Sequence, residues 1–267
     1  MYLPHFFYQA ACQGKPDLEG IPVIVKGTRG LLAVVADCSP EAEADGVLPG
    51  LTIEEASARC PGATVISLTD SSEVTWQKTI LVLEGLTPKI EVEGIGRAYL
   101  DLPDFENDPR EERNLGRQVI ETIRGSLGLT ARIGIGNSRF VARQAAVCAW
   151  DCLVIVPGDE SDFLSILPMG ALPVTEGEKK QFGLLGLTTV KKVASCSRQA
   201  LIFHFGVRGG LVSDLARGIA DTIPISPCRL TAFQNEEPIN PAPSVTAISL
   251  RGLFEDLPCG MLAMAGA

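Results

Sequence analysis

The chain has 267 residues, of which 46% are hydrophobic and 21% charged, and its formal net charge is −9. The length indicates two or three small domains rather than one, and no apolar run approaches the ~20 residues that span a bilayer. The acidic balance argues against a strong nucleic-acid binder, and eight scattered cysteines without CxxC pairs predict reduced thiols in a cytoplasmic protein rather than a zinc site.

The first quarter of the chain predicts a small α/β unit. Residues 2–8 form an apolar run typical of a short strand. Residues 21–27 and 30–37 are β-branched and aliphatic runs separated by a Gly-containing turn, which is typical of a hairpin. Two short helices are predicted at 40–45 and 51–62, each after a capping Ser or Thr, and the strand ATVISL follows.

The middle of the chain alternates helices and strands. A helix is predicted over 73–87, and KIEVEGIGRAYLDLPD then gives two alternating strands around a Gly-containing turn within 89–102. The remaining elements are a helix over the periodic residues Leu115–Leu127, a strand at 129–136, a helix at 138–148 and a strand at 153–156. This order predicts a ferredoxin-like α/β sandwich.

Beyond residue 157 the strand patterns end. Short apolar segments broken by Gly predict a small all-helical unit over about 158–228. Residues 229–267 begin with a Pro-rich stretch and give a linker leading into an incomplete unit. The two histidines, His5 and His204, have no partner Cys or Asp pattern nearby in sequence, so a structural role is expected for both.

Five stretches in this order resemble the Y-family (translesion, UmuC/DinB-like) DNA polymerases, and most of all their catalytically inactive ImuB-type branch. These stretches are YLPHFFYQA, VVADCSPEAEADGVLPGLTIEEASARCPG, GRAYLDL, GIGNSRFVARQAA and LLGLTTVKKVASCSRQALIFHFG with DLARGIAD. The resemblance implies an α+β fold with a ferredoxin-like palm, inserted small α/β fingers and a helical thumb. The resemblance assigns residues 1–11 and 74–157 to the palm, 12–73 to the fingers and 158–228 to the thumb. Residues 229–267 would be a linker and the incomplete start of a little finger.

The catalytic carboxylates that the resemblance implies are missing. Family members hold two Mg²⁺ ions with carboxylates from adjacent strands. The matching positions carry Tyr2, Gly96 and Arg97. Rebuilding the site from Glu93 or Asp101 would need carboxylates at the wrong offset. We instead expect the Arg97 guanidinium at the metal position, paired with Glu93 or Asp101, and no cofactor; Mg²⁺ is expected only if the chain is an active polymerase.

The nucleotide site is altered in the same sense. Family members bind the triphosphate with a Tyr and an Arg, and this chain has Pro40 and Glu43 at those positions. Residues 1–73 carry 10 acidic and 4 basic side chains. A carboxylate facing a polyphosphate repels it. Phe7 occupies the steric-gate position, where core packing is the alternative role.

DNA-phosphate contacts are predicted at two places. Arg139 stands for the Lys of the palm's basic motif, with Arg143 one helical turn later. In the thumb, family members have a Gly-x-Gly turn, of which this chain keeps only Gly177, between Glu176 and Glu178. Lys179, Lys180, Lys191 and Lys192 lie nearby, and a solvated charged helix face is the alternative reading.

Three functions stay open at this point. The favoured one is a non-catalytic adaptor in bacterial DNA repair and SOS-linked translesion synthesis that binds DNA weakly and in a salt-sensitive way. The alternatives are an active error-prone polymerase and an inert truncated remnant. Other repair proteins and the sliding clamp are candidate partners, the latter because ISLRGLF loosely resembles clamp-binding peptides. No membrane association is expected.

Overall fold

A computed structural model describes residues 1–68, 71–101 and 108–219. Its helices are α1 (Phe6–Cys12), α2 (Pro40–Ala44), α3 (Ile53–Arg59), α4 (Ser71–Glu84), α5 (Pro109–Leu127), α6 (Arg139–Cys148), α7 (Glu160–Ser165), α8 (Glu176–Leu184), α9 (Val190–Ser195) and α10 (Arg198–Ala216). Its strands are β1 (Val23–Arg29), β2 (Leu32–Cys38), β3 (Thr64–Ser67), β4 (Ile90–Gly94), β5 (Arg97–Leu100), β6 (Ile133–Ile135) and β7 (Cys152–Val154). The α+β class predicted from the sequence is confirmed.

The prediction of a strand over residues 2–8 is wrong. Only Tyr2 makes a β-bridge, and α1 begins at Phe6. Pro4 has no N–H to donate to a ladder, and His5 adopts a left-handed conformation with φ 50°. These two residues end the strand and turn the chain into the helix.

The ferredoxin-like sheet is nonetheless assembled around Tyr2. β4 and β5 form an antiparallel hairpin, and β6 and β7 pair in parallel. Tyr2 bridges the two pairs, because it lies opposite both Arg97 and Arg132. The spatial order is therefore β4, β5, Tyr2, β6 and β7. Side chains from α4 and α5, among them Trp76 and Ile123, pack with this sheet in one core.

A second, smaller sheet has the order β2-β1-β3. β1 pairs with β2 in an antiparallel arrangement and with β3 in parallel. α2 and α3 begin at the predicted caps, since Ser39 accepts a hydrogen bond from the Ala42 amide and Thr52 forms a capping box with Glu55. A separate core lies between this sheet and the two helices.

Residues 158–219 contain helices and turns and no strand, as predicted. α7 to α10 surround a core with Phe163, Leu164 and Phe182 at its centre, and α6 contributes Val141 to it. α10 is kinked at Gly206, whose φ of 65° is outside the helical region. None of the described helices is long and apolar enough to cross a membrane. The end of the predicted thumb (220–228), the predicted linker and the ISLRGLF segment lie outside the described residues.

Candidate functional site

Tyr2, Gly96 and Arg97 lie together at one place in the fold. These are the three positions at which the resemblance implies carboxylates that the sequence lacks. Tyr2 is bridged to Arg97, and the Leu3 amide donates a hydrogen bond of 2.8 Å to the Gly96 carbonyl. The Arg97 guanidinium carbon lies 5.5 Å from the centre of the Tyr2 ring. This distance is typical of a cation–π contact. A phenol, a glycine and a guanidinium therefore stand together at the sheet positions in question.

Arg97 brings a positive charge to this place, while the carboxylates of Asp37 and Glu43 act electrostatically on the Tyr2 hydroxyl from nearby. Among the described residues, no ion pair involves Arg97, and its contact is with the Tyr2 ring. Burial raises the pKa of the Tyr2 hydroxyl and outweighs the opposing effect of Arg97, so the ring is neutral near pH 7. A phenol and a guanidinium offer no anionic ligand for a hard cation such as Mg²⁺.

The expected pairing of Arg97 with Glu93 or Asp101 is wrong. The Asp101 carboxylate lies 2.7 Å from the Lys89 ammonium, on the outer part of the hairpin. The Glu93 carboxylate lies 3.1 Å from Arg143 and also accepts a hydrogen bond of 3.2 Å from Tyr99. Both acids are therefore engaged by other side chains and not by Arg97.

Gly96 occupies a backbone conformation that disfavours a side chain. It is the second residue of the two-residue turn between Gly94 and Arg97, and its φ is 80°. A Cβ built at Gly96 would lie 3.2 Å from the Cβ of Phe6, which is buried in the core. The backbone conformation and the close contact with Phe6 therefore favour glycine at position 96, where the resemblance implies a metal ligand.

The two arginines that were predicted to hold a phosphate face the hairpin. Arg139 lies 2.6 Å from Glu91 and 5.8 Å from the centre of the Tyr99 ring. Arg143 pairs with Glu93 one strand period further along β4. All four charged side chains are less than one third exposed, so solvent screens these pairs only in part. A phosphate that approached either arginine would meet a guanidinium whose charge a carboxylate already compensates in part.

The predicted triphosphate-binding positions lie at α2. Pro40 is its first residue, and Glu43 lies one turn further on. The Glu43 carboxylate is 3.5 Å from Nε2 of His5, while Nδ1 of the same ring is 3.7 Å from the Asp37 carboxylate. Burial favours the neutral ring, but the two carboxylates prevail and raise the pKa of His5 above its ordinary value.

His5 thus has carboxylate partners in the fold, although no Asp or Cys pattern lies near it in sequence. Its partners lie more than 30 residues away in sequence, and the fold brings the end of β2 against the start of α1. A lone His directly after a Pro, together with an acid-rich segment, was the only sequence signal for this contact. Phe7, at the predicted steric-gate position, is half-buried and lies edge-on to Phe6 with ring centres 5.7 Å apart.

The predicted phosphate-binding turn at Gly177 is not a turn. Gly177 lies in the first turn of α8, which begins after the capping residue Thr175. The Glu178 side chain accepts the Thr175 amide hydrogen bond, forms an ion pair with Arg208 and places negative charge at this helix end. Of the predicted lysines, Lys179 lies 3.7 Å from Glu176, whereas Lys180 is exposed and has no carboxylate partner among the described residues.

Comparison with known proteins agrees with this arrangement of elements. The family model described as impB/mucB/samB matches residues 1–147, which is more than half of the chain. A protein named DNA polymerase IV from Dehalococcoides mccartyi (strain 195) is 30% identical over 223 residues, covering 81% of this chain and 57% of the relative. A DNA polymerase IV from Desulfatibacillum aliphaticivorans is 28% identical over 227 residues, covering 83% of this chain and 57% of that protein. The chain thus spans little more than half the length of these relatives.

Two solved structures share the fold. DinB from Sulfolobus solfataricus matches with a TM-score of 0.73 and 23% identity, over 85% of this chain and 68% of that one. An insertion ternary complex of Dbh DNA polymerase matches with a TM-score of 0.75 and 24% identity, over 84% of this chain and 67% of the other. At these identities the likeness establishes the arrangement of elements alone.

Proposed function

Because the chain belongs to the impB/mucB/samB family, within the Y-family DNA polymerase superfamily, we propose that it is a non-catalytic member that binds DNA as an adaptor in translesion repair. We propose that the chain acts like the inactive, ImuB-type branch of the family and not like its active polymerases. It includes the palm, fingers and thumb boundaries given above and a cytoplasmic location.

One observation carries the proposal: Arg97 lies over the ring of Tyr2 at the place where the resemblance implies a metal-binding carboxylate cluster. Two-metal phosphoryl transfer needs anionic oxygen ligands that clamp both the attacking and the leaving oxygen. The three matched positions supply none, and the nearest acids of the hairpin are engaged by Lys89 and Arg143. A guanidinium at this place also repels Mg²⁺ electrostatically.

The nucleotide side supports the same reading. Glu43 holds a histidine instead of facing a triphosphate, and Arg139 and Arg143 are neutralised by the carboxylates of β4. An incoming nucleotide would meet acidic groups on the fingers side and paired arginines on the palm side. Glu43 therefore disfavours a polyphosphate electrostatically, and the paired arginines attract it less than free ones would.

DNA binding is proposed through the helical part of the chain. Lys180 and Lys191 are exposed and lack carboxylate partners among the described residues. Lys192 is also exposed, and its ammonium donates to the Gly186 carbonyl and the Thr188 hydroxyl. Three or so phosphate contacts give affinity that is weak and falls steeply with salt. Repair proteins, including the sliding clamp, remain the proposed partners.

An active polymerase is the second candidate, because the curated relatives bear the name DNA polymerase IV. A Mn²⁺-binding titration of the protein with primer–template DNA and nucleotide separates the two. The adaptor proposal expects no Mn²⁺ held by the β4–β5 hairpin, and two ions held by hairpin carboxylates would overturn it.

Fluorescence anisotropy with labelled primer–template DNA tests the DNA-binding half of the proposal. We expect binding at low salt whose logarithmic salt dependence becomes shallower by about one unit in Lys180→Ala and in Lys191→Ala. Lys78→Ala, which removes an exposed charge from α4, is the matched control and should leave the slope unchanged. Absence of binding at low salt would favour an inert remnant.

A further inference from the structure

The end of β2 and the start of α1 bring together three side chains that can ligate a metal. A ring nitrogen of His5, a carboxylate oxygen of Asp37 and Sγ of Cys38 all lie within 4.8 Å of one another. Asp37 and Cys38 are buried, while His5 is one-fifth exposed and gives access from solvent. We propose that these three residues form a binding site for a thiophilic divalent cation of the Zn²⁺ type, at a place distinct from Tyr2, Gly96 and Arg97.

The geometry is close to that of a tetrahedral site. Zinc bonds of about 2.0–2.3 Å place neighbouring ligand atoms about 3.3–3.8 Å apart. The His5 Nδ1 and Asp37 Oδ1 atoms are 3.7 Å apart, within a few tenths of an ångström of the about 3.4 Å that a nitrogen–oxygen pair on zinc requires. The Cys38 sulfur would move by at most about 1 Å, and it gives up only a weak 3.5 Å contact with the Val47 carbonyl.

The surroundings orient the ligands. The two oxygens of Asp37 accept hydrogen bonds from the amides of Tyr8 and Cys38, which fix the carboxylate and leave lone pairs for a metal. Glu43 faces the opposite ring nitrogen of His5 and adds negative charge next to the site. Because Glu43 lies on that other side of the ring, a water molecule would complete the tetrahedron.

The ligand types select the metal. A thiolate and an imidazole suit Zn²⁺ and its spectroscopic substitute Co²⁺, whereas Mg²⁺ requires oxygen ligands in an octahedron. Binding displaces the thiol proton of Cys38, because the thiolate is the form that ligates zinc. The bound ion would tie α1 to β2 across 32 residues of sequence and would stabilise the junction of the two sheets.

Cobalt titration of the whole chain, stripped with a chelator, tests the site. We expect one equivalent of Co²⁺ to give a thiolate-to-cobalt charge-transfer band, which Zn²⁺ abolishes and an excess of Mg²⁺ does not. Cys38→Ser should lose the band. Cys60→Ser is the matched control, because Cys60 is a buried thiol that donates to the Asp45 carboxylate without a histidine, and it should keep the band.

His5→Gln covers the case in which Cys38→Ser fails to fold, since His5 is partly exposed. Replacing a residue that only supports a metal ligand lowers affinity by about 10- to 100-fold. His5→Gln removes a ligand itself, so it should weaken Co²⁺ binding by more than that. The proposal is overturned if the wild-type chain shows no charge-transfer band, or if the band persists at full strength in either His5→Gln or a folded Cys38→Ser. These outcomes do not depend on DNA or nucleotide, so they are separate from the tests of the proposed function.

Discussion

Restoring a carboxylate at position 96 should destabilise the protein. Gly96→Asp places a side chain on a residue with φ of 80°, and its Cβ would lie 3.2 Å from Phe6 Cβ. The left-handed backbone costs about 1–2 kcal/mol for a residue with a side chain. The contact with the buried Phe6 adds up to about 1 kcal/mol, since Phe6 is packed edge-on against Trp76 and has little room to move.

These costs are partly offset, because replacing a glycine lowers the entropy of the unfolded chain by an amount worth about 0.4–1 kcal/mol. The net expectation is a loss of about 1–2 kcal/mol in the free energy of unfolding. Gly94→Asp is the matched control: it adds the same charge two residues away, at a position without positive φ and with nothing within 4 Å of the added Cβ.

Urea denaturation of the wild-type chain and both variants measures the effect. Gly94→Asp should stay within about 0.5 kcal/mol of the wild type, and Gly96→Asp should unfold at clearly lower urea with the same dependence on urea concentration. If Gly96→Asp is as stable as Gly94→Asp, the hairpin is not shaped around a glycine, and the reasoning about position 96 fails.

Two further predictions concern the charged clusters. In chelator-treated protein, His5→Gln should lower the free energy of unfolding most below about pH 6.5. The loss should fade as the pH rises through the raised pKa of His5, because Asp37 and Glu43 stabilise the charged ring. Urea unfolding across pH, with the exposed His204→Gln as control, measures this, and a loss that grows with pH would contradict it. A double-mutant cycle on Arg143→Ala and Glu93→Ala should give a coupling of about 0.5–1 kcal/mol that salt reduces; simple additivity would refute the pairing.

The elements that were predicted correctly depend on local signals. Thr52 followed by Glu55 specifies a helix start through contacts within one turn, and the structure contains that capping box. The alternation on both sides of Gly96 likewise specifies the hairpin, because each strand needs only its own period of two. Family resemblance added the order in which these elements pack.

The predictions that failed depend on backbone detail or on distant contacts. The apolar run at residues 2–8 looked like a strand, but Pro4 and the left-handed His5 end it after Tyr2. The partner of Arg97 could not be read from the sequence, since the facing Tyr2 reaches it only through the sheet.

The contact of His5 with the end of β2 has the same origin. It arises from packing of the two sheets against α1, and neither segment carries a recognisable ligand spacing. Such non-local arrangements follow from tertiary structure alone, which is why the candidate metal site was not predicted.

The central claim is that this member of the family does not catalyse nucleotide addition. A primer-extension assay on undamaged and lesion-containing templates, with Mg²⁺ and with Mn²⁺, tests it most directly. We predict no incorporation by the wild-type chain with either metal. Metal-dependent incorporation that is lost in Asp101→Ala would contradict it, because that carboxylate, held here by Lys89, would then be serving as a metal ligand.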